Sequence, residues 1–161
     1  MRFTQPIRKL ALLAHVLSSV AWVGAVAVFL VLAVTGLGSS DRLVVRAVYI
    51  AMKPVTGGII VPLALASFFT GLLLSFGTNW GLFRHYWVIF KLLISLGSLP
   101  LLLLHTRIID RVAAAALSGL HPADFYSDRV QLVVASGASL LVLVLASFFS
   151  IFKPRGPTGW V

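Results

Sequence analysis

Apolar residues fill four long stretches of the chain almost without interruption: 10–35, 57–76, 86–106 and 130–152. Each reaches the roughly 20 residues that an α-helix needs to cross a hydrocarbon core. A lone apolar span must be helical, because lipid offers no partner to an open backbone amide or carbonyl. The pattern therefore predicts an all-α fold, a four-helix transmembrane bundle with helical extensions on the loop side. One integral membrane domain, 1–161, holds all of it.

Polar residues inside these runs show which faces point inward. In the first run they are His15, Ser18, Ser19 and Trp22, with Phe29 on the same face. Ala25-Val26-Ala27 has the small-x-small look of a signal-peptidase site, but Val28-Phe29-Leu30-Val31-Leu32 follows directly, so the run reads as an uncleaved span. In the second, Ser67 and Gly71 form a small-x-x-x-small pair that lets a neighbouring helix approach. The third carries a polar seam of Arg84, Lys91, Ser95, Ser98 and His105. Four of these recur every seven residues and so fall nearly in line. In the fourth, Ser136, Gly137, Ser139, Ser147 and Ser150 suit close packing.

Between the runs the punctuation is local. Ser40 or Asp41 can cap a helix that starts at Arg42. Arg42 to Lys53 is amphipathic and is expected at or outside the membrane surface. Pro54 and Gly57-Gly58 are expected to loosen the chain before the second span, and Pro62 to kink it. Arg107 to Leu117 stays helical in pattern beyond the third span, with Gly119 as its stop. Ser127 is positioned to cap the fourth.

Composition agrees with this reading. Of 161 residues, 60% are hydrophobic and only 11% charged, against about a quarter charged in a soluble domain. The net charge of +9 comes from 13 Lys and Arg against 4 aspartates, with no glutamate. The cations flank apolar runs, so anionic lipid headgroups are the expected partner and nucleic acid is not. Without cysteine, the chain has no thiol catalysis and no Cys-based metal site. No phosphate loop, nucleophile elbow or other catalytic signature is present.

Four spans place both termini on one side, with six cations there and six on the other, so the positive-inside rule does not decide the orientation. Arg8-Lys9 abut the first span, and on that basis the termini are expected in the cytoplasm. All four aspartates, Asp41, Asp110, Asp124 and Asp128, lie on the opposite side. The cations and acids there are expected to form weak surface salt bridges.

The candidate chemistry rests on histidine. His15 lies about 9 Å inside the first span if Lys9 marks the interface. His85 opens the third span on the same side, while His105 and His121 are on the other, roughly 30 Å away. His15 and His85 are thus the pair able to bridge a metal or to ligate haem b between spans one and three. Trp22, Arg84 and Lys91 are the further candidates around such a group, Lys91 as the cation facing a propionate or a quinone oxygen. In the plainer alternative His15 packs in the core with a serine partner, and Lys91 snorkels to the interface. Beyond electron transfer or sensing through haem, two other functions fit: anion or proton permeation along the polar face of span three, and a non-catalytic accessory role within a membrane complex or homo-oligomer.

Two stretches carry a resemblance. Leu12-Leu13-Ala14-His15-Val16-Leu17-Ser18-Ser19-Val20-Ala21-Trp22-Val23-Gly24 resembles the first helix of small bacterial four-helix membrane proteins related to the copper-resistance D family. Trp80-Gly81-Leu82-Phe83-Arg84-His85-Tyr86-Trp87-Val88-Ile89-Phe90-Lys91 looks like an uncharacterised bacterial membrane family of the same size, which implies the fold and no particular activity. The chain departs from a copper handler in lacking Met-rich and Cys-rich stretches: its only methionines are Met1 and Met52.

Overall fold

Pro6 opens the first helix, where its missing N–H is no loss, and α1 then runs unbroken over Gln5–Gly38. Its 34 residues reach about 51 Å, well beyond a hydrocarbon core of roughly 30 Å. The computed structural model describes residues 3–77, 86–119 and 125–152. Asp41 caps the next helix by accepting the Leu43 N–H at 2.8 Å, and α2 follows over Arg42–Val55. α3 is Val61–Gly77, α4 is Tyr86–Ser118 and α5 is Tyr126–Phe152. Four helical stretches are long and apolar enough to span a membrane: α1, α2 with α3, most of α4, and α5.

Side-chain and backbone contacts fix the directions. The start of α1 meets the end of α3, where the Phe3 N–H donates to Gly77 O at 3.3 Å. Arg129 at the start of α5 meets Gly36 at the end of α1. Lys91 near the start of α4 meets Ser150 near the end of α5. Each pair is antiparallel. α1 packs against α3 and α5, and α4 against α5 and α2, whereas α3 and α4 scarcely touch. Among the described residues the bundle is therefore open along the seam between α3 and α4.

The chain between α2 and α3 does not loosen as the Pro54 and Gly57-Gly58 pattern suggested. It stays helical through one wide π-turn, Thr56–Ile60. Pro54 inside α2 offers no N–H to the carbonyl one turn back, and a π-bulge absorbs such a mismatch by slipping the register by one residue. The Thr56 hydroxyl donates to Met52 O at 2.8 Å and ties the slipped turn together.

α2 buries Val45, Val48, Tyr49 and Met52, the i, i+3, i+4, i+7 stripe of an amphipathic helix. The stripe rests on protein, on α4 and α1, so α2 is a packed extension of the bundle. Its partners in the core include Phe29 and Ala33 of α1, Ile109 and Val112 of α4, and Leu132 of α5. The membrane half of α4 turns Leu93, Leu96, Leu101, Leu103 and Leu104 outward, as a lipid-facing surface requires. Gly119, at φ 76°, ends α4 in the left-handed conformation that glycine adopts freely. Two details of α5 differ from the sequence pattern. Ser127 stands within the first turn instead of before it. Ser139 and Ser147 face outward, and Ser147 satisfies its hydroxyl on Leu143 O of its own helix at 2.8 Å.

Candidate functional site

The polar face predicted for α1 is its buried face: Ser18, Trp22, Val26 and Phe29 are buried, and His15 and Ser19 half-buried. It meets α3 at the small pair. Ser19 and Ser67 share a hydroxyl–hydroxyl hydrogen bond of 2.8 Å. A Cβ on Gly71 would stand 3.1 Å from His15 Cε1, so the absent side chain makes room for the ring.

The hydrogen bonds assign the tautomer of His15. Its Nδ1 lies 3.0 Å from Ser67 O, which can only accept, and 3.1 Å from Thr70 Oγ1. The Thr70 hydroxyl spends its proton on Ala66 O at 2.6 Å, so toward His15 it too is an acceptor. Nδ1 therefore carries the hydrogen, and in the neutral ring Nε2 presents a lone pair. Histidines that bind metal commonly hold their other ring nitrogen to a carbonyl or carboxylate in the same way.

Two turns along α1, Trp22 is buried and its Nε1–H has no hydrogen-bond partner. Leaving such a donor unsatisfied costs about 1–3 kcal/mol. Lys91 on α4 donates from Nζ to Ser150 Oγ, and Ser150 in turn donates to Ala146 O at 2.9 Å. Lys91 is thus tied to a hydroxyl inside the bundle.

His85 and Arg84 lie outside the described residues, as does His121, so the pairing of His15 with His85 has no geometry here. His105 donates from Nδ1 to Leu101 O of its own helix at 2.7 Å and does not approach His15's end of the bundle. Among the described residues, no three His, Cys, Asp or Glu side chains group to hold a metal ion.

The structure also places a residue that the sequence pattern assigned to the surface. Arg129 is only 7% exposed. Its Nε donates to the Tyr49 hydroxyl at 3.0 Å, and Nη2 donates to Gly36 O and, at 3.4 Å, to Leu37 O. The guanidinium stands 5.5 Å over the Tyr49 ring. The reason lies in α1, which has no basic residue in its last turn. Its terminal carbonyls and negative dipole end need donors from elsewhere, and α5 supplies them. An expected surface pair joins the two helix extensions, Lys53 with Asp110 at 3.0 Å, and a second ion pair joins Arg111 to Asp128 of α5 at 3.1 Å.

Compared with known proteins, the chain matches no protein-family model, no curated protein and no solved structure.

Proposed function

We propose that this multi-pass protein of the bacterial inner membrane, with its termini in the cytoplasm, holds a b-type haem between α1 and α4 for electron transfer or haem sensing. His15 is one axial ligand in this reading and His85, which directly precedes α4 in the sequence, the other. The observation that carries it is the His15 tautomer: two acceptors hold Nδ1–H, leaving Nε2 with a lone pair for a ligand.

Three further features support the same reading. The buried Trp22 Nε1–H needs an acceptor. Lys91 supplies a cation on the side away from the aspartates, and a haem propionate would neutralise it. Among the described residues the bundle is open between α3 and α4, which suits entry of a planar group from lipid. Bound haem would contribute one-electron chemistry, and the chain would contribute ligation, a low dielectric and charge compensation. Permeation along α4 has less behind it, because Lys91 and His105 are each engaged at one place, with Ser150 and Leu101.

The test is the absorption spectrum of the purified protein, as isolated and after hemin is added. A Soret band that disappears in His15→Ala is expected. A colourless protein that takes up no hemin would contradict the proposal.

A further inference from the structure

A groove of about 430 Å³ opens on the outside of the bundle, between the α2–α3 junction and α4. Thr56 and Ile109, both buried, form its floor, and the exposed Pro54 and Gly57 flank it. Local chemistry makes the gap. Pro54 is followed by the wide turn Thr56–Ile60, a kind of turn that recurs at functional sites. Gly57 adds no side chain, and a Cβ there would meet nothing within 4 Å. The threonine hydroxyls of the lining donate within their own helices, Thr56 to Met52 O and Thr106 to Leu103 O. The floor is therefore apolar to a ligand.

Two charges stand at the edge of this apolar surface. Lys53 Nζ and Asp110 Oδ1 are 3.0 Å apart, and both side chains are more than half exposed. Their mutual contact leaves the ammonium with further N–H donors and the carboxylate with its second oxygen. The depth of the groove follows from Tyr49, which packs against Gly36 of α1. Gly36 lies about 39 Å along α1 from Leu10. α2 runs back from that level, which puts Lys53 at about 33 Å and Thr56 at about 28 Å. With a hydrocarbon core of roughly 30 Å starting at Leu10, the charges stand among headgroups and the floor among acyl chains.

We propose that this groove binds a phospholipid with an ethanolamine headgroup, drawn from the leaflet opposite the termini. An acyl chain lies on Thr56 and Ile109 where Gly57 leaves space. The lipid phosphate accepts from Lys53, and the lipid ammonium donates to Asp110. The headgroup thus extends the ion pair at both ends, cation to carboxylate and anion to ammonium. A choline headgroup carries the same two charges, but its quaternary nitrogen has no N–H to give Asp110.

Thermal unfolding of the full chain in a neutral detergent, followed by tryptophan fluorescence, tests this. Dioctanoyl phosphatidylethanolamine is titrated against dioctanoyl phosphatidylcholine, which has the same net charge. A saturable rise in melting temperature is expected, with half-saturation about threefold or more lower for the ethanolamine lipid, the size of an exposed charged contact. Asp110→Asn should abolish that preference, and Gly57→Leu, which fills the groove without meeting other protein atoms, should weaken both lipids. Both changes are at exposed positions and should leave the helical circular dichroism intact. Equal half-saturation for the two lipids in wild type, a preference that survives Asp110→Asn, or unchanged binding in Gly57→Leu would overturn the proposal.

Discussion

His15 and Ser67 are joined by a 3.0 Å hydrogen bond from a ring nitrogen to a backbone carbonyl, across the interface of α1 and α3. The bond orients the imidazole, fixes its proton on Nδ1 and helps hold two spans together. The packing that permits it depends on Gly71. Replacing Gly71 with valine should force the ring away, because its branches add to a Cβ already 3.1 Å from His15 Cε1. Overpacking of this kind costs about 1–3 kcal/mol. A lower melting temperature is expected, together with weaker hemin uptake. Thermal unfolding and a hemin titration on the same preparation measure both, and wild-type values for the two would show that the ring does not depend on Gly71.

Arg129 should matter more than any other loop-side cation. It is buried and donates to α1 carbonyls and to Tyr49, whereas Lys53 is largely exposed. Arg129→Met is expected to lower stability by about 1–3 kcal/mol, the usual penalty for stranding buried polar partners. Asp110→Asn, which breaks the exposed pair with Lys53, should cost no more than about 1 kcal/mol. Denaturant melts of the two variants compare them directly, and equal losses would contradict the difference in burial.

Gly36 should tolerate no side chain. A Cβ there would sit 2.7 Å from Tyr49 Cζ, so Gly36→Ala must displace the ring that supports Arg129. We expect destabilisation of about 1–3 kcal/mol, shrinking when Tyr49→Leu is present to relieve the clash. A double-mutant cycle measures this coupling, and strictly additive effects would show that the ring and the glycine do not meet.

Lys91→Met separates two roles for one cation. If Lys91 faces an anionic group between α1 and α4, the substitution should weaken hemin binding while the helices remain folded. If its role ends at Ser150, then Lys91→Met and Ser150→Ala should behave alike, with little effect on hemin. Optical titrations of both variants beside circular dichroism distinguish the two.

Several of these features are legible in the sequence and others are not, for physical reasons. Span length, the inward face of α1, the Ser67/Gly71 contact and the stop at Gly119 follow from local pattern: run length, helical pitch and the φ that glycine accepts. The π-turn at Thr56–Ile60 is not visible, because Pro54 and Gly57-Gly58 look the same whether the chain breaks or slips one register. Arg129 looks like a surface cation because its partners, Gly36 and Leu37, come from the far end of another helix. Lys91 with Ser150 is likewise a tertiary pairing, between α4 and α5. The orphan carbonyls of α1, which has no basic residue in its last turn, are the one sequence signal that a donor must arrive from elsewhere.

The account turns on Nε2 of His15, and an optical titration of hemin into the detergent-purified chain tests it most directly. Wild-type protein should give a saturable Soret shift at one haem per chain. His15→Ala should lose it while keeping its helical circular dichroism. A wild-type protein that gives no shift, or a His15→Ala variant that binds hemin as well as wild type, would contradict the claim that this histidine is a ligand.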